Sequence, residues 1–201
     1  MKLIMSSLAN HDNDWQDAWT RFKKGDMEAF RQIYDAFLAN LYSYGIKLTD
    51  NTAIVEDSIQ EMFLEMYTHR KNLSETSTLE YYLLKVLRRT IFHKLRKESR
   101  YQPMEEHSFN INFEIETNMP DDIREEKIAL VKKSLSDLGP QNQEILYLKF
   151  YRGLTYQQIG ELLGVKPDSA KKQVYRIISG LREVLGNQLL ELFIMCFRAQ
   201  K

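Results

Sequence analysis

Leu154-Thr155-Tyr156-Gln157-Gln158-Ile159-Gly160-Glu161-Leu162-Leu163-Gly164-Val165-Lys166-Pro167-Asp168-Ser169-Ala170 reads as two helices joined by a tight turn. Thr155 and Gln158 have the spacing of a capping box, in which each side chain satisfies an orphan amide of a helix's first turn. Ile159, Leu162 and Leu163 fall on one side of that helix, and the small Gly160 permits close approach of a second one. Gly164 can adopt the left-handed conformation that ends a helix, and Val165 anchors the turn. Pro167 suits the first position of the next helix, where no amide donor is missed. In that helix Ala170, Val174, Ile177 and Leu181 make an apolar face. Asp168, Ser169, Lys172, Tyr175, Arg176 and Ser179 point the other way, with Lys171 and Gln173 on the flanks. This is helix-turn-helix spacing. A second helix of this kind can reach phosphates with its bases and base edges in the major groove with Ser, Lys, Gln and Arg. The alternative is an exposed helix in a protein-interaction bundle; cap, turn and basic outer face together favour duplex DNA.

The rest of the second half reads as helices over about 121–138, 141–151 and 155–163, with the last over 167–185. Gly139-Pro140, Arg152-Gly153 and Gly164 punctuate them. The apolar tail Leu189–Phe197 lies beyond and is expected to extend the last helix. The first half is also helical. Phe30, Ile33, Tyr34, Phe37, Leu38 and Leu41 keep helical spacing, as do Val55, Ile59, Met62, Phe63 and Met66. A third set, Leu79, Leu83, Val86, Leu87, Ile91 and Leu95, follows a capping pair of Ser77 and Glu80. Trp15, Trp19 and Phe22 predict a short packing helix ahead of these. Between the halves, Pro103 and Pro120 bracket an acidic stretch without helical period. There Phe109, Ile111, Phe113 and Ile115 alternate with polar residues, a strand-like pattern with no partner strand. The expectation is an extended linker whose apolar side chains seat in grooves of a partner, or a mobile loop. The fold class is therefore all-α: a helical domain over 10–100, a linker over 101–120, a second helical domain over 121–186, and a helical tail over 187–201.

The formal charge of zero conceals a segregated distribution. Lys85, Arg88, Arg89, Lys94, Arg96, Lys97 and Arg100 face only Glu98 within their run. Residues 101–126 then hold eight acids against Arg124, and 127–186 hold ten bases against five acids. Two basic bodies joined by an acidic strap suit two separate contacts with a polyanion. The single cysteine excludes an internal disulfide. No apolar run approaches the roughly 20 residues of a bilayer-spanning helix, and the first residues make no secretion signal; a cytoplasmic protein is expected. Neither a metal site nor a cofactor is expected: the four histidines have no ligand spacing with the lone cysteine, and no glycine-rich loop is placed to cradle a phosphate. No nucleophile stands beside an identifiable base, so an enzyme is not expected, nor a small-molecule substrate.

Leu135-Ser136-Asp137-Leu138-Gly139-Pro140-Gln141-Asn142-Gln143-Glu144-Ile145-Leu146, followed by Gly153-Leu154-Thr155-Tyr156 and the helix pair, resembles region 4 of sigma factors, as does the later Leu181-Arg182-Glu183-Val184-Leu185. Gly25-Asp26-Met27-Glu28-Ala29-Phe30 resembles the start of region 2 in the small extracytoplasmic-function class. Val55-Glu56-Asp57-Ser58-Ile59-Gln60-Glu61-Met62-Phe63 is similar to its polymerase-docking helix, and Tyr82 to Lys97 to its promoter −10 helix. The resemblance covers both helical domains in family order. It implies a promoter-specificity subunit of RNA polymerase, with core polymerase (clamp coiled coil and flap) and promoter DNA as partners. It also implies an inhibitory anti-sigma factor, in many relatives a membrane protein.

By this resemblance Asp57, Gln60, Glu61 and Leu64, which share one helix face, dock on the polymerase. Arg88, Arg89, Thr90, His93, Lys94, Arg96 and Lys97 face the −10 element, and Ser169, Lys171, Lys172, Gln173, Tyr175 and Arg176 the −35 element. The loop Asn72 to Thr78 captures a base, and the acidic linker threads a basic channel of the polymerase. Thr90 and His93 stand where the family often has Asn and Asp, and Ala170 where it commonly has Val. A free-standing helix-turn-helix regulator is the chief competing reading, but such proteins usually dimerise and no dimer seam is evident. A sigma-like interaction module without promoter activity is the third.

Overall fold

The computed structural model describes residues 15–74, 76, 78–98, 109–111 and 125–199, with side chains as far as 195. All the regular structure among them is helical. The chain divides into two units, Met1–Glu105 and Glu106–Lys201.

In the first unit α1 covers 15–23 and turns at Gly25, whose φ of 102° favours glycine. Helix α2, Met27–Leu48, starts because Asp26 accepts the Glu28 and Ala29 amides at 2.9 and 3.2 Å. The Ala29 amide above all, with Glu28 and the Arg21 guanidinium 3.1 Å away, holds the Asp26 carboxyl below its usual range. Helix α3, Thr52–Thr68, is capped by Asn51, and a 3-10 turn at Arg70–Asn72 leads towards α4, Leu79–Glu98. Both α2 and α3 pack on α4 and on each other. A Cβ on Gly45 would lie 2.5 Å from Val55 Cγ1, so α2 and α3 approach closely only because a glycine stands there.

The core agrees with the periodic stripes in most places. Ile33, Phe37, Leu41, Val55, Ile59, Met62, Phe63 and Met66 are buried. On α4 the stripe is rotated: Leu79, Leu83, Leu84, Leu87, Thr90 and Ile91 are buried, whereas Val86 and Leu95 are half-buried. Wedged between two helices, α4 needs a wider inward arc than a one-sided stripe supplies. Ser77, proposed above as half of a capping pair, lies outside the described residues.

The second unit holds α5, Glu125–Ser136, and α6, Pro140–Leu146, which runs on into a π-helical turn, Tyr147–Tyr151. Helices α7, Tyr156–Leu163, and α8, Pro167–Ala199, follow. Helix α8 contacts α5, α6, the π-helical turn and α7. It does extend through the apolar tail, but Gly186, with φ 72° and ψ 168°, breaks it, and beyond the break Leu189, Leu190 and Phe193 are buried. Arg152 is buried too; its Nε donates to the Tyr147 hydroxyl at 2.9 Å and its guanidinium lies over the Tyr147 and Tyr151 rings.

Of the linker, 109–111 are described, and here the structure replaces the expectation of grooves on a partner. Phe109 is buried, its ring 5.7 Å from that of Tyr147, and the Ile111 amide donates to Gln143 Oε1 at 3.1 Å. The Gln143 amide in turn donates to Leu138 O at 2.8 Å. This part of the linker seats on the chain's own second unit.

Candidate nucleic-acid and polymerase interfaces

The geometry of the helix-turn-helix follows from local chemistry. Thr155 Oγ1 accepts the Gln158 amide at 3.2 Å while Gln158 Oε1 accepts the Thr155 amide at 2.9 Å, closing the capping box. Gly164 ends α7 at φ 71°. The turn then folds back so tightly that a Cβ on Gly160 would sit 2.7 Å from Val165 O, and the Val165 amide donates to Gly160 O at 2.9 Å. Ala170, Val174, Ile177 and Leu181 are buried, which fixes the rotation of α8. Ser169, Lys171, Lys172, Tyr175 and Arg176 are exposed, Tyr175 by 61%. Gln173 is different: half-buried, it donates to Asn142 Oδ1 of α6 at 2.6 Å. Together Asn142, Ser169, Lys172, Gln173, Arg176 and Ile177 line an open concavity of about 500 Å³. Asn142 stands within the region 4 motif, but nothing in its spacing marks it as a neighbour of Gln173, 31 residues away. At the start of α7, Lys149 lies over the Tyr156 ring; burial first, then neighbouring Tyr175, raises the Tyr156 phenol. Around the corner, Leu138, Ile177, Leu181 and Val184 line a second, mainly apolar groove of about 350 Å³ with Ser134 at its edge.

In the first unit Arg89, His93, Arg96 and Lys97 are exposed on α4 and Arg88 is half-buried. Thr90 departs from expectation. It is 9% exposed, and its hydroxyl proton is already engaged by Val86 O at 3.1 Å. Its place in the widened inward arc of α4 is the reason. Lys94 is half-buried and lies 2.9 Å from Glu61 Oε2 on α3, so one residue expected at the −10 element is paired with one expected at the polymerase. Beside the bases runs an aromatic series that the charge reading passed over. Lys85 lies over the Tyr81 ring at 5.5 Å and Arg88 over the Phe92 ring at 4.6 Å. Alternating bases and rings at i, i+4 spacing suit a strand of nucleic acid, whose phosphates and bases need both. On α3 Asp57, Gln60, Glu61 and Leu64 are all exposed on one face opposite the buried Val55, Ile59, Met62 and Met66; Leu64 is 66% exposed.

Two sequence models match the chain: sigma-70 region 2 over residues 33–101 and sigma-70 region 4 over 128–179. The chain belongs to the sigma-70 family. Among curated relatives, the RNA polymerase sigma factor SigZ of Bacillus subtilis is 26% identical over 155 residues, which is 76% of this chain and 85% of that protein. The ECF RNA polymerase sigma factor SigL of Mycobacterium tuberculosis is 24% identical, covering 77% of this chain and 88% of its own length. Of solved structures, RpoE in complex with the anti-sigma factor NepR from Bartonella quintana superposes with a TM-score of 0.54 at 22% identity. That match covers 78% of this chain and 96% of RpoE. As an extracytoplasmic-function sigma factor, the protein directs RNA polymerase in transcription initiation, with core polymerase and promoter DNA as its partners. Sigma factors are initiation factors rather than catalysts. Among the described residues of this sigma factor no helix is long and apolar enough to cross a membrane.

Proposed function

We propose that this sigma factor divides promoter recognition between its units as follows. The α3 face of Asp57, Gln60, Glu61 and Leu64 docks on the clamp coiled coil of core polymerase. On α4 the bases Arg88, Arg89, Arg96 and Lys97, with His93 and the rings of Tyr81 and Phe92, meet the −10 element; Lys94 joins them when Glu61 is engaged elsewhere. The loop Asn72 to Thr78, just ahead of α4, captures a base that has left the stack. Ser169, Lys171, Lys172, Tyr175 and Arg176 meet the −35 duplex, while Gln173, tied to Asn142, fixes their helix from the flank. The apolar groove of Leu138, Ile177, Leu181 and Val184 takes the polymerase flap. The protein works in the cytoplasm, performs no chemistry of its own, and is restrained by an anti-sigma factor until induction. The acidic linker ahead of Phe109 occupies a basic channel of the polymerase.

The observation that carries this reading is the exposed basic half of α8, held in place by a closed capping box and a left-handed glycine, in a chain that also carries a region 2 unit. Run-off transcription with core enzyme and genomic fragments tests it. A sigma factor enables specific starts from a subset of promoters. A free-standing regulator would only modulate polymerase already carrying another sigma factor, and an interaction module would do neither.

A further inference from the structure

Trp19 sits in α1, outside every face named so far, and is 1% exposed between Phe22 and Tyr82, with ring centroids 5.6 and 5.4 Å away. A buried indole N–H needs an acceptor. Trp19 finds it 55 residues along the chain: Nε1 donates to the Ser74 carbonyl at 3.1 Å. Ser74 belongs to the loop before α4 and is itself exposed. The other end of that loop is fixed by Thr76, whose hydroxyl donates to Thr78 O at 3.1 Å. Tyr82, on the first turn of α4, leans on the same indole, and its phenol is raised by burial, with nearby Arg89 opposing. One ring therefore locates both the backbone at Ser74 and the start of the basic, aromatic helix behind it.

We propose that Trp19 is a positioning residue for promoter opening, acting through the Ser74 carbonyl to preset the backbone at Ser74, within the loop that receives the unstacked base. The proposal rests on the base-capture role assigned to that loop above. Backbone left free at Ser74 would sample many conformations, and each would have to be given up when a base binds; a backbone held in advance avoids that loss. The indole is the right group for this. It is large enough to be fixed by packing alone, and it carries a single donor whose direction is set by the ring.

The test uses the full chain assembled with core polymerase on a promoter it recognises, reading permanganate reactivity of thymines in the −10 region per holoenzyme formed. Trp19→Phe keeps an aromatic filler and removes the donor. We expect opening to fall about three- to tenfold, the scale of one lost hydrogen bond, with core affinity and −35 duplex binding unchanged. Thr76→Val, inside the loop, should give a similar defect, and the double variant should be no worse than the poorer single one. If Thr76→Val lowers opening and Trp19→Phe does not, the Trp19 proposal is overturned while base capture by the loop stands. If neither lowers it, the loop assignment itself fails. Multiplying defects would mean that Trp19 acts by another route, which also overturns the proposal. Should Trp19→Phe fold poorly, a benzothiophene side chain at position 19, isosteric but with sulfur in place of N–H, must reproduce the opening defect with normal thermal stability; wild-type opening with it overturns the proposal.

Discussion

Truncating Phe109 to alanine asks directly whether the end of the linker is a strap on the second unit or a passive tether. Phe109 is 2% exposed against Tyr147, and two residues on, the Ile111 amide is held by Gln143. If the segment stays in place, removing a buried phenyl group costs about 3–5 kcal/mol, including the cavity left behind. The segment has another route: it can detach. Detachment forfeits the burial of one phenylalanine, about 1.5–3 kcal/mol, and the net worth of one hydrogen bond, about 1 kcal/mol, but returns backbone entropy to the chain. The cheaper route prevails, so the loss should be at most about 2 kcal/mol. For a unit of roughly 100 residues each kilocalorie moves the midpoint by about 4–8 °C, so its thermal transition should drop, by up to about 10 °C, while the first unit's transition stays put. Calorimetry reads the shift, and hydrogen exchange at the Ile111 amide tells the routes apart: detachment exposes it and a retained cavity does not. Unmoved transitions together with an Ile111 amide that is already unprotected in the wild type would refute the docking argument.

Replacing Lys172 and Arg176 together by glutamine should weaken binding to duplex −35 DNA and flatten the log–log salt dependence by about 2, since each phosphate contact contributes about 0.9 to the slope; fluorescence anisotropy across a salt series checks it, and an unchanged slope would place these side chains off the backbone. Thr155→Ala opens the capping box and should cost the second unit about 1 kcal/mol, with Thr155→Ser recovering most of it in denaturant unfolding. A double-mutant cycle on Glu61 and Lys94 should give a coupling below about 1 kcal/mol that fades in 1 M salt, as expected for a pair in which one partner is 46% exposed; a larger, salt-insensitive value would mean that the pair is a structural strut.

The second unit was largely legible because its geometry is punctuated locally. Thr155 and Gln158, Gly160, Gly164 and Pro167 each specify one backbone feature within seven residues of themselves, and each is found as read. The outward side of α8 then follows from the inward one, because Ala170, Val174, Ile177 and Leu181 fix the helix's rotation. On α3 the same logic holds, with an unbroken buried stripe leaving Asp57, Gln60, Glu61 and Leu64 on the far side.

What the structure adds to the reading comes from contacts between distant positions. Val86 and Thr90 exchange their expected places because α4 is packed from two sides, and a periodicity argument assumes one. Lys94 and Glu61 lie 33 residues apart and were given to different ligands, whereas α3 and α4 cross so that one carboxylate meets one ammonium. Their pairing changes what each can contribute. A basic partner helix that engages Glu61 competes with Lys94, and a phosphate that engages Lys94 competes with Glu61. On the roles proposed for the two faces, polymerase docking and −10 binding would be joined through an ion pair weak enough to be broken at little cost, so that occupying either face would free the charge the other needs. Sequence spacing within one helix carries no trace of such a link, since the sign and position of each charge are already explained by its own face.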